Sequence, residues 1–315
     1  ESTGQTKVSQ TLTNLTNAPT DVIYTVTPTS GSCIGASFEL TVTVNPNIVV
    51  NNKDAGEICS GDPFTISPQN GVDGDVVPSG LEYTWVVSLS NANIEGALDE
   101  ADPQNVIQQT LRNLTNLPQS ITYTVTPVIP SVSCNGDTFE LTVTVNPSPQ
   151  IDDVEDEICS GSSFTVIPQN GGGISGNDIV PVNTTYSWTV LDNPNVTGAS
   201  DDITGQTQIS QALTNTSNEP QDVIYTVTPT SGAAGNCEGE PFTVKVTVNP
   251  EPSIDDASED VCSGGLFEFE PENGGGINLT DIVPANTTYT WTVVDNPNVA
   301  GESCPYSRQH RNTGR

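Results

Sequence analysis

Apolar and polar side chains alternate along much of this chain, with a period of two. Phe139, Leu141, Val143 and Val145 interleave with Glu140, Thr142, Thr144 and Asn146. The same run returns as Phe38, Leu40, Val42, Val44 and as Phe242, Val244, Val246, Val248. Successive strand side chains point to opposite faces, so each run predicts a strand with one buried and one wet face. Threonine and valine dominate, and both suit a pleated surface. Shorter runs predict strands from Phe164 to Val166, Tyr186 to Val190, Ile209 to Leu213 and Val223 to Val227. Asn-Gly, Asn-Pro, Asp-Pro and Gly-Gly-Gly steps between them set turns. No stretch sustains an apolar 3.6-residue period with caps, so the chain reads as all-β.

The strands recur in blocks. Tyr83-Thr-Trp85, Tyr186-Ser-Trp188 and Tyr289-Thr-Trp291 stand 103 residues apart. Tyr24-Thr-Val-Thr-Pro28 recurs at Tyr123 and Tyr225, and Cys59-Ser-Gly recurs at Cys159 and Cys262. A period near 100 residues exceeds the roughly 20–50 of solenoid repeats and matches a folding domain. Each unit closes on Asn45-Pro46, Asn146-Pro147 or Asn249-Pro250, followed by a short acidic link. Complete units are therefore expected at 47–147 and 148–250. Residues 1–46 form the second half of a unit and 251–303 the first half of another. Two readings remain for these halves: a window on a longer array, or one chain's first half completing the next chain's second half by strand complementation. Residues 304–315 break the pattern, hold three of the seven basic residues and the single His, and are set aside as an aberrant tail.

Six or seven short strands in about 100 residues, with a Trp near the middle, predict an immunoglobulin-like antiparallel β-sandwich. Strung in tandem, such units make an extended array. Trp188 is expected on the third strand against the core, and Tyr225 at a position like a tyrosine corner. The mid-strand cysteines of antibody domains are missing; here cysteines flank the strands.

These landmarks carry a resemblance. Ile158-Cys-Ser-Gly161, Phe164, Tyr186-Ser-Trp188, Tyr225-Thr-Val-Thr-Pro229, Cys237 and Val246-Thr-Val-Asn-Pro250 resemble the PKD-like repeats of very large surface proteins of gliding bacteria. The resemblance spans residues 1–303. It implies sandwiches strung into adhesin stalks at the cell surface, exported by the type IX route, with no catalytic residues to carry over.

Charge narrows the partners. The 315 residues hold 39 acidic and 7 basic side chains, a formal charge of −32. Coulomb repulsion opposes binding to nucleic acid or to an anionic membrane surface. No apolar run approaches the roughly 20 residues of a membrane helix, so no membrane insertion is expected. No charged–apolar–small leader precedes Glu1, and a secretion signal is expected to be missing or already removed.

Seven cysteines in an acidic, repetitive chain suggest disulfides. Cys304 falls in the tail. Pairing within units gives Cys59–Cys134 and Cys159–Cys237 and orphans Cys33 and Cys262. Pairing across junctions gives Cys33–Cys59, Cys134–Cys159 and Cys237–Cys262, at separations of 26, 25 and 25. That second scheme must span a strand, a link and a strand. One nine-residue strand covers roughly 30 Å, whereas bridged Cα atoms lie within about 7 Å. Within-unit pairing of Cys59, Cys134, Cys159 and Cys237 is therefore expected.

Carboxylates crowd the links, and calcium is the one cofactor they suggest. Candidate ligands are Asp152, Asp153, Glu155, Asp156, Asp255, Asp256 and Glu259, because Ca²⁺ takes roughly six to eight oxygens. The spacing lacks the EF-hand pattern, and a solvated acidic surface that resists aggregation explains the same residues. Zinc would need closer Cys or His spacing, and a nucleophile would need a base that the lone His cannot supply. Gly171-Gly-Gly173 and Gly274-Gly-Gly276 read as long turns, since no helix follows to make a phosphate cradle. Asn-x-Thr/Ser sequons at Asn14, Asn113 and Asn215, among others, read as coincidence in a chain rich in Asn and Thr.

No unit repeats a positioned acid, base or nucleophile, so no enzyme is expected. A structural stalk, with neighbouring repeats or identical subunits as partners, fits best. The alternatives are a glycan- or surface-binding module, taking surface polysaccharide through repeated loops, and a filament subunit completed by strand exchange.

Overall fold

The computed structural model describes residues 4–301, apart from 133, 233, 234 and 295. The tail at 304–315, with Cys304, lies outside the described residues.

Two β-sandwiches follow one another. Upstream of them, β1 (Thr20–Val26) and β2 (Phe38–Val44) form an antiparallel pair. The first sandwich holds β3 (Lys53–Cys59), β4 (Pro63–Ile66), β5 (Glu82–Leu89), β6 (Glu100–Gln104), β7 (Ile107–Thr110), β8 (Gln119–Ile129) and β9 (Phe139–Asn146). The second repeats them as β10 (Val154–Cys159), β11 (Ser163–Val166), β12 (Thr185–Val190), β13 (Asp202–Gln206), β14 (Ile209–Ala212), β15 (Gln221–Thr230) and β16 (Phe242–Asn249). The larger sheets run β3-β9-β8-β5-β6 and β10-β16-β15-β12-β13, with the short strand Cys134–Asn135 beside β8. Smaller antiparallel pairs, β4·β7 and β11·β14, lie across each core. The architecture is the all-β sandwich that the alternation predicts.

The buried face of each strand is the apolar set. Tyr123, Val125, Leu141, Val143 and Val145 are fully buried, as are Tyr225, Val227, Val244, Val246 and Val248. Aromatic rings join the two layers: Phe64 meets Tyr123 at 5.7 Å between centroids, and Phe164 meets Tyr225 at 5.3 Å. Each such side chain contributes about 1.5–3 kcal/mol through burial. Trp85 and Trp188 are both 4% exposed, as a third-strand core tryptophan should be. At Gly198 the backbone takes φ 97°, and a side chain there would run into the Ala212 carbonyl, so only glycine fits.

Two of the links are in fact strands, Lys53–Cys59 and Val154–Cys159. Val154-Glu-Asp-Glu-Ile-Cys159 pairs in parallel with β16, from Val154 opposite Val244 to Cys159 opposite Asn249. Val154 and Ile158 are only half-buried and share their face with the equally half-buried Asp156, while Glu155 and Glu157 are exposed, so the period-two signal is weak. Charges along such a sheet edge also block edge-to-edge association.

The flanking segments differ from the sandwiches although their sequences match. In β1 and β2 the alternating apolar positions are at best half-buried, and Phe38 is 52% exposed. Among the described residues of 251–301 there is a bridge between Ser253 and Ile282 but no longer strand. Trp291 there is 59% exposed, against 4% for Trp188. Strand propensity expresses itself only against partner strands and a facing layer, and here counterparts of β15 and β16 are not paired to it.

Candidate functional site

The covalent cross-link of the chain lies where the first sandwich meets the second. Cys59 closes β3 and pairs in register with Asn146, the last residue of β9. Cys237 lies between β15 and β16 of the following sandwich and is 1% exposed. The two form a disulfide with Cα atoms 5.4 Å apart.

This corrects the expected pairing. Neither Cys59–Cys134 nor Cys159–Cys237 forms; Cys134 and Cys159 are free thiols. The reason is polarity within the unit. Along β8, Gln119 lies opposite Val145, next to the Cys59 end, and Ile129 lies opposite Cys134. Ten strand residues separate these levels by roughly 30 Å, far beyond the ~7 Å a disulfide spans. The first-strand cysteine sits at one pole and the late-loop cysteine at the other, so a bridge must join successive sandwiches.

Polar groups surround the bridge. The Ser60 amide donates to the Asn146 carbonyl at 2.9 Å, and Asn146 Nδ2 donates to Glu57 Oε2 at 2.9 Å. Asn146 is 1% exposed, so these bonds satisfy a buried amide. A Cβ at Gly235 would lie 3.1 Å from Asn146 Nδ2 and 3.4 Å from Cys237 Sγ, so the loop presses directly on the end of β9. Arg112 Nη2 reaches across to Gln150 Oε1 at 2.7 Å.

The acidic residues do not gather. The Asp152 carboxylate accepts the Ser175 amide at 2.7 Å, which holds its pKa below the usual carboxylate range. Asp153 accepts the Thr243 amide at 2.7 Å. Glu155 and Asp156 lie in β10, where successive side chains diverge. Asp255 accepts from Asn278, while Asp256 and Glu259 are exposed. Among the described residues no three His, Cys, Asp or Glu side chains form a group that could hold a metal ion. Asp178 is 6% exposed; burial, together with the charge on Asp152, raises its pKa. Its counterpart Asp75 is paired with Lys53 at 2.8 Å.

Other titratable groups serve the cores. Burial pushes Tyr83 and Tyr186 up to about 12 and raises Tyr123 and Tyr225 as well. The Tyr225 hydroxyl donates to Gln211 Oε1 at 2.9 Å, Gln211 Nε2 donates to the Ser200 carbonyl, and Trp188 Nε1 donates to that same carbonyl. The first sandwich repeats this with Tyr123, Gln109, Leu98 and Trp85. The signal for it was a Gln fourteen residues before each Tyr, including Gln10 and Tyr24.

Three sequons also acquire a structural reason. Asn215 Nδ2 donates to the Glu219 and Val248 carbonyls while its Oδ1 accepts from Ser217. Asn113 does the same with Leu117, Val145 and Thr115, and Asn14 with Ala18, Val44 and Thr16. The Asn-x-Thr/Ser pattern is here a turn that ties into the last strand.

A profile for a PKD-like domain matches residues 1–48, 56–149 and 156–252. The chain belongs to the PKD-like domain family. Domains of this type are generally non-catalytic. No curated protein matches the chain in sequence. Among solved structures it is similar to the D00-D0 domain of intimin, at 14% identity and TM-score 0.25, covering 63% of this chain and 98% of that one. It is also similar to the human desmocollin-1 ectodomain, at 12% and 0.27, covering 75% and 48%. A Photobacterium sp. JT-ISH-224 2,6-sialyltransferase matches at 12% and 0.21, covering 36% of this chain and 20% of the enzyme.

Proposed function

We propose that this PKD-like chain is a segment of an extracellular stalk. It spaces or presents adhesive ends of a cell-surface adhesin of the kind found in gliding bacteria, and performs no catalysis. The carrying observation is the covalent joint: Cys59 of one sandwich is bonded to Cys237 of the next. A bridge between successive domains serves a chain that bears load or resists proteolysis, and it belongs to an oxidising compartment.

Small-angle scattering tests the proposal. A compact chain of this length has a radius of gyration of about 20 Å. An array with a maximum dimension on the order of 100–130 Å gives about 30 Å or more. A value near 20 Å would overturn the stalk and favour a packed binding module.

A second reading draws on the exposed apolar faces of residues 20–44 and 251–301: identical subunits complete one another into a filament. Sedimentation that stays monomeric at every concentration excludes it.

A further inference from the structure

The disulfide explains one pair of cysteines; four others remain free among the described residues, at Cys33, Cys134, Cys159 and Cys262. Two of them stand where the bridged pair stands. Cys134 is the counterpart of Cys237. Each follows the long strand of its sandwich, ahead of a glycine (Gly136 or Gly239) whose amide donates to a proline carbonyl, Pro127 or Pro229. Cys237 lies over the end of β9 at Asn146. Cys134 lies over the end of β2, with Asn45 Nδ2 3.8 Å from its Sγ. Asn45 and Asn146 are the same landmark one unit apart.

The missing half follows from register. In both sandwiches the first strand lies parallel to the last, with its cysteine opposite that asparagine: Cys59 opposite Asn146 and Cys159 opposite Asn249. A first strand laid alongside β2 in the same register puts its cysteine opposite Asn45, where Cys134 already sits. At the other end, Cys159 occupies beside Asn249 the place that Cys59 occupies beside Asn146. The surrounding bonds also repeat: the Ser160 amide donates to the Asn249 carbonyl at 2.8 Å, and Asn249 Nδ2 donates to Glu157 at 2.6 Å.

We infer that Cys134 and Cys159 are two open halves of one recurring bridge, in which the first-strand cysteine of each PKD-like unit bonds the late-loop cysteine of the unit after it. Cys134 takes the first-strand cysteine of a preceding unit, and Cys159 takes the late-loop cysteine of a following one. The partner is another unit of the same type. Within this sequence the matching cysteines are Cys262, of first-strand type, and Cys33, of late-loop type. Closing each bridge forms one S–S bond, releases two thiol protons and passes two electrons to a low-molecular-weight disulfide, which leaves as two thiols. The inference concerns connectivity and stands whether or not the array serves as an adhesin stalk.

The test joins two copies head to tail, residue 303 of the first to residue 1 of the second, which places 251–303 ahead of 1–46 as in a complete unit. The protein is oxidised in glutathione buffer, alkylated, digested without reduction and mapped by mass spectrometry. Expected are Cys262 of the first copy bonded to Cys134 of the second, and Cys159 of the first bonded to Cys33 of the second. Cys59–Cys237 should appear in both copies. Peptides joining Cys59 to Cys134, Cys159 to Cys237 or Cys134 to Cys159 overturn the inference. Should the joined unit not fold, the same two links are sought between molecules of the single chain at high concentration; their absence there also overturns it. A Cys237→Ser chain provides an independent check. Cys59 should then alkylate as a free thiol, and a switch to Cys134 would refute the two-pole geometry.

Discussion

Tension applied along this chain should meet the Cys59–Cys237 bridge before it meets most of either sandwich. Consider handles at residues 47 and 250. Without the bridge, full unfolding frees roughly 200 residues, about 700 Å of contour at ~3.5 Å each. With it, the 178-residue separation between the cysteines is bypassed. Only the roughly 11 residues before Cys59 and 12 after Cys237 stretch, giving about 80 Å. The two folded sandwiches already span roughly 60–80 Å, so the oxidised protein should lengthen by about 20 Å or less. Optical-trap extension of the same molecules, before and after a reductant, measures the difference directly. Other connectivities give other lengths: a Cys159–Cys237 bridge would leave about 430 Å of contour, and a Cys134–Cys159 bridge about 600 Å. Release of several hundred ångströms from the oxidised chain would refute the inter-sandwich bridge.

Three further outcomes are expected. Trp188→Ala removes a buried ring and its bond to the Ser200 carbonyl, and should cost about 3–5 kcal/mol in denaturant melts; a loss below about 1 kcal/mol would mean the ring is not core. Asn215→Ala strips partners from the Glu219 and Val248 carbonyls and should cost about 2–3 kcal/mol, with Asn215→Asp failing to restore it because a carboxylate cannot donate there. Asp178→Asn should stabilise the second sandwich near neutral pH. The folded carboxyl of Asp178 has a raised pKa, so wild-type stability falls as pH rises above the ordinary aspartate value of about 3.9. Asp152, held low, contributes stability above that value and loses it as pH falls. The advantage of the Asn variant should therefore grow from pH 3 to pH 6, and a pH-independent difference would exclude the linkage.

Much of this architecture is legible in the sequence because burial enforces it. Phe242, Val244, Val246 and Val248 form one face of an inner strand, so the alternation is sharp. Val154 to Cys159 reads as an acidic link because an outer strand buries little and tolerates charge on its exposed positions. Its parallel pairing to a strand some 90 residues later leaves no local trace. The bridge is illegible for a related reason. Cysteine spacing along the chain does not show which pole of a sandwich each cysteine occupies, and that is fixed only once Ile129 is seen opposite Cys134 and Asn146 opposite Cys59. The exposed Trp291 marks the converse limit. Its local sequence repeats that of Trp188, but the ring is covered only where a complete sandwich closes over it.

The bridge also fixes an order of events. Synthesis runs from the N-terminus, so Cys59 emerges before Cys134 and Cys159, and its true partner Cys237 arrives last of the four. An unfolded chain oxidised as it emerged would join Cys59 to the nearer thiols, since shorter loops close at lower entropic cost. Folding removes that error by carrying Cys59 and Cys134 to opposite poles. Sandwiches of this kind fold in milliseconds to seconds, whereas disulfides form over seconds to hours, so each sandwich has time to sequester its wrong partner. The finished bond then certifies two domains at once: it closes only where one sandwich has completed its first strand and the next has completed its late loop.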